Sequence, residues 1–375
     1  MTRLARLTAP PAGDPSLHVA GMSVLLRQLF SLQDAGVDVI EIEGTPEAQL
    51  PLDSRLTVRL VAVPAPVSEA DRADRRRALL QARLGLVWHR LLPKRLLLGG
   101  YHGDLEAAQL EPDEFVSPVF DAASARAAED RLLQSLLKAT DGLISRAINR
   151  RISLRVTRMV LETPLTPNQM TIIASLFGLA AIAVVVAGGA DWLVPGAVLL
   201  QIQSILDGCD GEISRLKYIR SRLGEWLDQV LDDLVNVGYF AATGWALSQA
   251  GSGIALPVAI AGTGFHILYQ ISLYTALVTR GGGSGSVASI RWSGQLDPHA
   301  PKPELKPNSL IRIVKETIEM AGRRDFFTFL YLPAALLGIS LVPLLWCAFI
   351  FIGTGLVTSL DWLLRGGPRP APRSA

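Results

Sequence analysis

Between residues 207 and 232 the chain reads DGCDGEISRLKYIRSRLGEWLDQVLD, with four aspartates at turn spacing between apolar runs. Asp207 and Asp210 are i and i+3, and Asp228 and Asp232 are i and i+4, so on helices each pair shares a face. Two carboxylates about 4 Å apart repel by about 4 kcal/mol at an effective dielectric of about 20. Four together must protonate, separate or bind cations. Hard, anionic, all-oxygen ligands suit Mg²⁺, Mn²⁺ or Ca²⁺ far better than zinc. Four negative charges balance two divalent ions, and a two-metal site suits displacement at phosphorus. The plainer alternative is a set of helix-end carboxylates that face water or pair with Arg215, Arg220 and Arg222. That reading is assigned to Glu212, Glu225 and Asp233, which fall off the shared faces.

Elements must bring those faces together. The chain has 375 residues, 49% of them hydrophobic, with a net charge of only +2. Residues 1 to about 160 are rich in Arg, Asp and Glu, whereas 170–365 are dominated by apolar runs. Candidate spans lie at roughly 169–189, 192–214, 225–249, 253–279, 326–341 and 343–364, the fifth interrupted by Pro333 and Gly338. The expected fold is an α-helical integral membrane bundle of about six transmembrane helices, preceded by an interfacial amphipathic helix and an α/β cytoplasmic domain. Arg and Lys concentrate before span one, between spans two and three, between four and five, and after six. The other three connections carry none. By the positive-inside rule both termini are cytoplasmic, the aspartates lie at the cytoplasmic face, and the setting is the cell inner or plasma membrane. The N-terminal stretch Met1–Arg6 lacks a signal-peptide core. Cys209 and Cys347 have no partner spacing, so neither a disulfide framework nor a zinc site is expected.

The spacing divides the chain into 1–137, an α/β cytoplasmic domain; 138–162, an amphipathic juxtamembrane helix; 163–366, the membrane domain; and 367–375, a tail. Within the first, residues 20–36 read as a helix, Val37 to Ile42 and Leu56 to Val63 as strands, and Ala122 to Leu137 as a second helix. The arginine run at 72–77 reads as a solvated helix and not a nucleic-acid patch, since aromatic interleaving is absent. In 138–162, Leu143, Ile144, Ala147, Ile148, Ile152, Val156 and Val160 form one stripe amid five arginines, which suits a helix lying along anionic head groups. The stretch from Gly281 to Asn308 begins GGGSGS and reads as a flexible connection without chemistry.

The aspartate segment resembles the signature of the CDP-alcohol phosphotransferases, D-x2-D-G-x2-A-R-x8-G-x3-D-x3-D. Asp207, Asp210, Gly211, Arg215, Gly224, Asp228 and Asp232 match at every spacing, with Ser214 where the family usually has alanine. The resemblance implies attack by an alcohol hydroxyl on a CDP-alcohol, releasing CMP. It further implies two metal ions, usually Mg²⁺ with Mn²⁺ as a substitute, on Asp207, Asp210, Asp228 and Asp232. Asp232 is the implied general base, with Gly211, Arg215 and Ser221 at the donor. A second element, Thr166-Pro167-Asn168-Gln169-Met170-Thr171, is similar to the family's P-N-x-x-T segment and implies a donor role for Pro167, Asn168 and Thr171.

Arg323 and Arg324 are candidates for an acceptor phosphate or a positive-inside flank. His266, Tyr269, Gln270 and Tyr274 either line the cavity or bond between helices. The first domain resembles a sugar-phosphate nucleotidyltransferase whose Gly-rich, Arg-bearing loop is replaced by APPAGDPS, hence a degenerate one. With Lys138, Asp141-Gly142, Ser145-Arg146 and Asn149-Arg150, the layout is similar to fused inositol-phosphate cytidylyltransferase and di-inositol-phosphate phosphate synthase proteins. The implied partners are a CDP-alcohol donor, an alcohol or phosphorylated polyol acceptor, membrane lipids and, as the family often dimerises, a second copy of the chain. Nucleic acid is not among them. Two other functions compete: a bifunctional enzyme that makes its own CDP-alcohol, and a cation transporter that uses the carboxylates for permeation.

Overall fold

The computed structural model describes residues 3–64, 78–137, 142, 144–292 and 322–371. The arginine run at 72–77, Lys138, Asp141, Leu143 and the stretch 293–321 lie outside them. The chain forms two compact units. The first is Met1–Ala139 with two later segments, Arg158–Pro164 and Leu216–Tyr218, and the second holds the rest.

In the first unit five parallel strands form one sheet: β1 (Leu4–Thr8), β2 (Val39–Glu43), β3 (Arg59–Val63), β4 (Leu80–Arg83) and β5 (Gly103–Asp104), in the order β3-β2-β1-β4-β5. Alternate positions Ala5 and Leu7, Ile40 and Ile42, Leu80 and Ala82 are buried, as the two-residue period requires. Helix α1 (Val24–Asp34) starts at Ser23, whose Oγ accepts the Leu26 N–H, and Gly36 at φ +84° follows its end. Strand β2 begins two residues later than predicted. The N–H of Val37 still bonds to Leu32 O in the helix-ending turn. Helices α2 (Leu92–Leu98) and α3 (Ala122–Gln134) follow, the latter opened by an Asp121–Ser124 capping box. The segment Leu216–Tyr218 belongs to this unit. Buried Arg27 donates to the carbonyls of Val19 and Leu216, and Phe30 stacks on Tyr218 at 5.6 Å between ring centroids.

The second unit is helical. A π-turn over Ser145–Asn149 leads into α4 (Arg150–Leu161). Then come α5 (Pro167–Gly188), α6 (Leu193–Lys217), α7 (Arg222–Gln249), α8 (Ala255–Thr279), α9 (Arg324–Leu336) and α10 (Leu341–Arg365). Helices α5 to α10 fall where apolar spans were predicted. Among the described residues, three stretches are long and apolar enough to cross a membrane: Pro167–Lys217, Ala255–Thr279 and Leu341–Arg365. Helix α7 is diluted by Glu225, Asp228, Asp232 and Asp233, and α9 has 13 residues with Pro333 inside. Tyr239 meets Tyr331, and Phe240 meets Phe351, each pair edge-on at 5.0 Å in the bundle core. Gly178 lets α5 approach α7, since a Cβ there would lie 2.6 Å from a methyl of Val235.

The inward face of α4 and the turn before it is polar, made of Asn149, Ser153 and Thr157, while Ile152 is exposed. The apolar stripe lies off the packing face, where a helix along head groups would carry it. One expectation changes: the start of the Gly281–Asn308 stretch is ordered, not loose. Trp226 Nε1 donates to Gly283 O at 3.0 Å, and a Cβ on Gly285 would lie 2.7 Å from Trp226 N. Ile290 and Arg291 pair with Pro370 and Arg369. Gly285 serves close packing against α7, which its lack of a side chain permits.

Candidate active site

Helices α6 and α7 carry the two aspartate pairs. Among the described residues, carboxylate oxygens of Asp207, Asp210 and Asp228 lie within 4.8 Å of one another. The fourth aspartate sits beside them in a different setting: Asp232 accepts from Gln203 Nε2 at 3.2 Å and from the guanidinium of Arg324. Arg324, at the start of α9, also pairs with Asp207 and so bridges the two helices. Helix α5 contributes Thr171, whose Oγ1 donates to Asp210 Oδ2 at 2.6 Å, and Asp210 also accepts the Gly211 N–H. The donor set is entirely oxygen and anionic, which fits a hard divalent cation.

The expected donor-site residues gather at the same ends of these helices. Thr166 caps α5 with Gln169, and Pro167 occupies the first turn, where its missing N–H costs nothing. Gly224 is where α7 approaches α5. A Cβ there would strike Asn168 Oδ1 and lie 2.9 Å from Ser221 Oγ. Ser221 caps α7, accepting the Gly224 N–H at 2.9 Å. A Cβ on Gly211 would lie 3.2 Å from the guanidinium of Arg215, so the glycine leaves room for that side chain. Ser214, the departure from the signature, donates to Ile219 O at 2.6 Å and so ties the turn after α6. Arg323 is half-exposed, 3.7 Å from Asp325.

A cavity of about 100 Å³ opens beside Asp207, lined mainly by Ser145, Asn149, Arg150, Ser204, Gly208 and Arg324. None of His266, Tyr269, Gln270 or Tyr274 lines it. His266 is buried against Phe351 at 4.1 Å, and Tyr274 bonds between helices, donating to Asp233 at 2.8 Å.

The three carboxylates read as helix-end groups facing water are all engaged. Glu212 is fully buried and takes Arg150, Ser153 and Thr157. Asp233 is buried with Gln229 and Tyr274, and Glu225 accepts from Ser284. Glu212 and Asp233 lie off the face that carries the four aspartates, whereas Glu225, three residues before Asp228 and seven before Asp232, falls on that stripe at the start of α7, contrary to the expectation. The neighbouring helix or loop, which the spacing does not reveal, supplies the partners.

Residues 164–303 match the family model for CDP-alcohol phosphatidyltransferases. The chain carries a CDP-alcohol phosphatidyltransferase domain. The phosphatidyltransferase match covers both aspartate pairs and the Thr166–Thr171 segment. The chain is also similar to proteins named bifunctional IPC transferase and DIPP synthase. It is 39% identical to the one from Thermococcus kodakarensis over 31% of this chain and 26% of that protein. It is 27% identical to that of Aquifex aeolicus over 63% and 46%, and 40% identical to that of Archaeoglobus fulgidus over 31% and 23%. The matched part thus spans under half the length of each of these relatives.

Proposed function

We propose that the chain transfers a substituted phosphate group from a CDP-alcohol to the hydroxyl of an acceptor alcohol, releasing CMP. The carrying observation is the convergence of Asp207, Asp210 and Asp228 within 4.8 Å, with Thr171 bonded to Asp210. Asp207, Asp210, Asp228 and Asp232 are the residues that would hold two divalent ions, Mg²⁺ in the first place. When bound, such ions neutralise the phosphate oxygens and polarise the phosphorus under attack.

The chain's own groups do the rest. Pro167, Asn168, Thr171, Gly211, Arg215 and Ser221 form the donor side, with Arg215 supplying a guanidinium for phosphate oxygens. Arg324 and Arg323 serve the acceptor side, and the hydroxyls, amide and guanidinium groups of the cavity suit a polyol or its phosphate. As the acceptor oxygen bonds to phosphorus, the bond from phosphorus to the CMP oxygen breaks. The acceptor proton passes to a carboxylate oxygen of Asp232. A metal-bound carboxylate is a weak base, so the proton leaves as attack proceeds.

The names of the relatives favour an inositol-phosphate type of product over a phospholipid. The first unit is read as a degenerate nucleotidyltransferase-like domain. Its loop after β1 uses its backbone donors internally: Ala9 to Glu43, Ala12 to Leu84 O, Asp14 to Val119 O, and Ser16 to Asp14. The alternation of basic loops supports six spans, with α4 along the interface, both termini cytoplasmic and the site at the cytoplasmic face. A homodimer is part of the same reading. The test is purified protein with Mg²⁺ and a panel of CDP-alcohols and acceptors, scored for CMP. Turnover is expected with at least one pair and lost in Asp232→Asn. Retained turnover in that variant would exclude Asp232 as the base and move the carboxylates toward an ion-permeation role.

A further inference from the structure

We propose that Glu212 is a positioning residue: it fixes the wall of the cavity beside Asp207 and so sets the affinity for the acceptor without touching it. The inference rests on the phosphotransfer reading above. Glu212 stands two residues after Asp210 on α6, about 200° around the helix, so it points away from the aspartate face. It is fully buried. Its named partners are all on α4: Arg150 Nη1 at 2.8 Å and Ser153 Oγ at 2.6 Å on one oxygen, Thr157 Oγ1 at 2.6 Å on the other. A buried carboxylate contributes little net stability even when well paired, because desolvation offsets the gain. What three donors from one helix do provide is register, fixing α4 along and around α6.

That register matters because the same turns of α4 build the cavity. Asn149 donates to Ser204 Oγ at 3.1 Å and accepts from Gln201 at 2.9 Å, while Arg150 also reaches Gly208 O at 3.4 Å. Asn149, Arg150 and Ser153 thus face Ser204, Asp207 and Gly208 across the space. A slip of α4 by one turn, about 5.4 Å, would replace these groups. The carboxylates and the donor segment are held from α5, α7 and α9, so they do not depend on this clamp. In Glu212→Gln the amide oxygen can still accept from Arg150 and Ser153 while the N–H₂ donates to the Thr157 hydroxyl, so the variant removes the charge that holds Arg150 and reverses the Thr157 bond.

The experiment uses full-length detergent-purified protein and two variants, Glu212→Gln and Thr157→Val. CMP release is measured against acceptor and against donor concentration, starting with inositol phosphate and CDP-inositol. Mn²⁺ affinity is read separately by electron paramagnetic resonance. The acceptor KM is expected to rise about tenfold in Glu212→Gln and about threefold in Thr157→Val, with donor KM and Mn²⁺ affinity within about twofold. A parallel rise in donor KM or loss of Mn²⁺ binding shows a merely structural role and overturns the proposal. An unchanged acceptor KM in Thr157→Val does the same, and decides the matter even where Glu212→Gln fails to give monodisperse protein. Wild-type protein that releases no CMP from any pair overturns the phosphotransfer reading itself. Active wild type with unshifted variants overturns only the role of Glu212.

Discussion

Two regions of this chain stand where phosphate chemistry is expected, the loop after β1 and the convergent face of α6 and α7, and they differ in where their polar groups point. A phosphate cradle works by leaving backbone N–H groups directed at the ligand. In the loop, Ala12 and Asp14 donate to Leu84 and Val119, Ala9 donates to Glu43, and Pro10, Pro11 and Pro15 have no N–H to offer. Gly13 packs tightly in the same loop, since a Cβ there would lie 2.6 Å from Gly85 O and 2.7 Å from Val119 N. Between α6 and α7 the polar groups turn toward one another and toward a cavity, and their charge stays concentrated. Buried polar groups in a fold must be satisfied, so a site is recognised by satisfaction that needs a ligand. The loop meets its needs internally. The carboxylate face does so only in part, through Arg324, Thr171, Gln203 and the Gly211 N–H, and its four acids still share a single guanidinium among these partners.

The largest expected effect tests that contrast inside one helix. Asp228 and Asp233 are five residues apart on α7, but only Asp228 joins the carboxylate group, while Asp233 is taken up by Gln229 and Tyr274. Asp228→Asn is expected to lower CMP release by about 10³-fold or more, as loss of a group that acts at the reacting centre does. Asp233→Asn keeps a hydrogen-bonding amide and is expected to cost less than about tenfold. Equal losses in the two variants would show that burial, not membership of the cluster, explains the carboxylates.

Arg324 comes next. It is the cation that bridges Asp207 and Asp232, and it lines the cavity. Arg324→Ala is expected to lower kcat/KM by about 10²-fold, mostly through acceptor KM. Arg324→Lys should recover only part, because a lysine cannot span two carboxylates as a planar fork does. A full recovery would mean that charge alone matters there.

Much of this was legible beforehand for a physical reason. Helical period and charge are local properties, so the four-aspartate face, the helices that bear it and the α/β class of the first unit follow from spacing. What stayed hidden depends on neighbours. Glu212 lies within the signature at a variable position, and nothing local distinguishes a carboxylate facing water from one facing α4. A signal existed in α4 itself: Asn149, Ser153 and Thr157 recur every four residues within a stripe otherwise read as apolar on one side and basic on the other. The glycines at 281–285 were read as loose because glycine's freedom is visible in a sequence. Close packing on Trp226 appears only once the chain is folded.

A smaller effect sharpens the donor side. Gly224 admits the Asn168 side chain where α7 starts, with Ser221 2.9 Å from where a Cβ would sit. Overpacking a tight contact costs about 1–3 kcal/mol. Gly224→Ala is therefore expected to raise donor KM about tenfold and leave acceptor KM within about twofold, as read from CMP release against each substrate.

The smallest expected effect is none, and it bears directly on the loop after β1. A nucleotidyltransferase given CTP and a sugar or inositol phosphate releases one pyrophosphate for each CTP joined to the acceptor. For this chain to do so, the N–H groups of Ala12 and Asp14 would have to leave Leu84 O and Val119 O, at 2.7 and 2.6 Å, to reach a triphosphate. Each lost bond leaves a carbonyl unsatisfied at about 1–3 kcal/mol, and the loop itself carries no arginine or lysine to offset it. Full-length protein with CTP, Mg²⁺ and inositol phosphate is expected to give pyrophosphate at the rate of a no-enzyme control, while the same preparation releases CMP from supplied CDP-inositol. Pyrophosphate formed in step with CTP loss would break the comparison, because it would show that a loop bonded to its own protein can still open to a triphosphate. CMP release in that same tube rules out an inactive preparation, so the silence of the first unit is attributable to its loop.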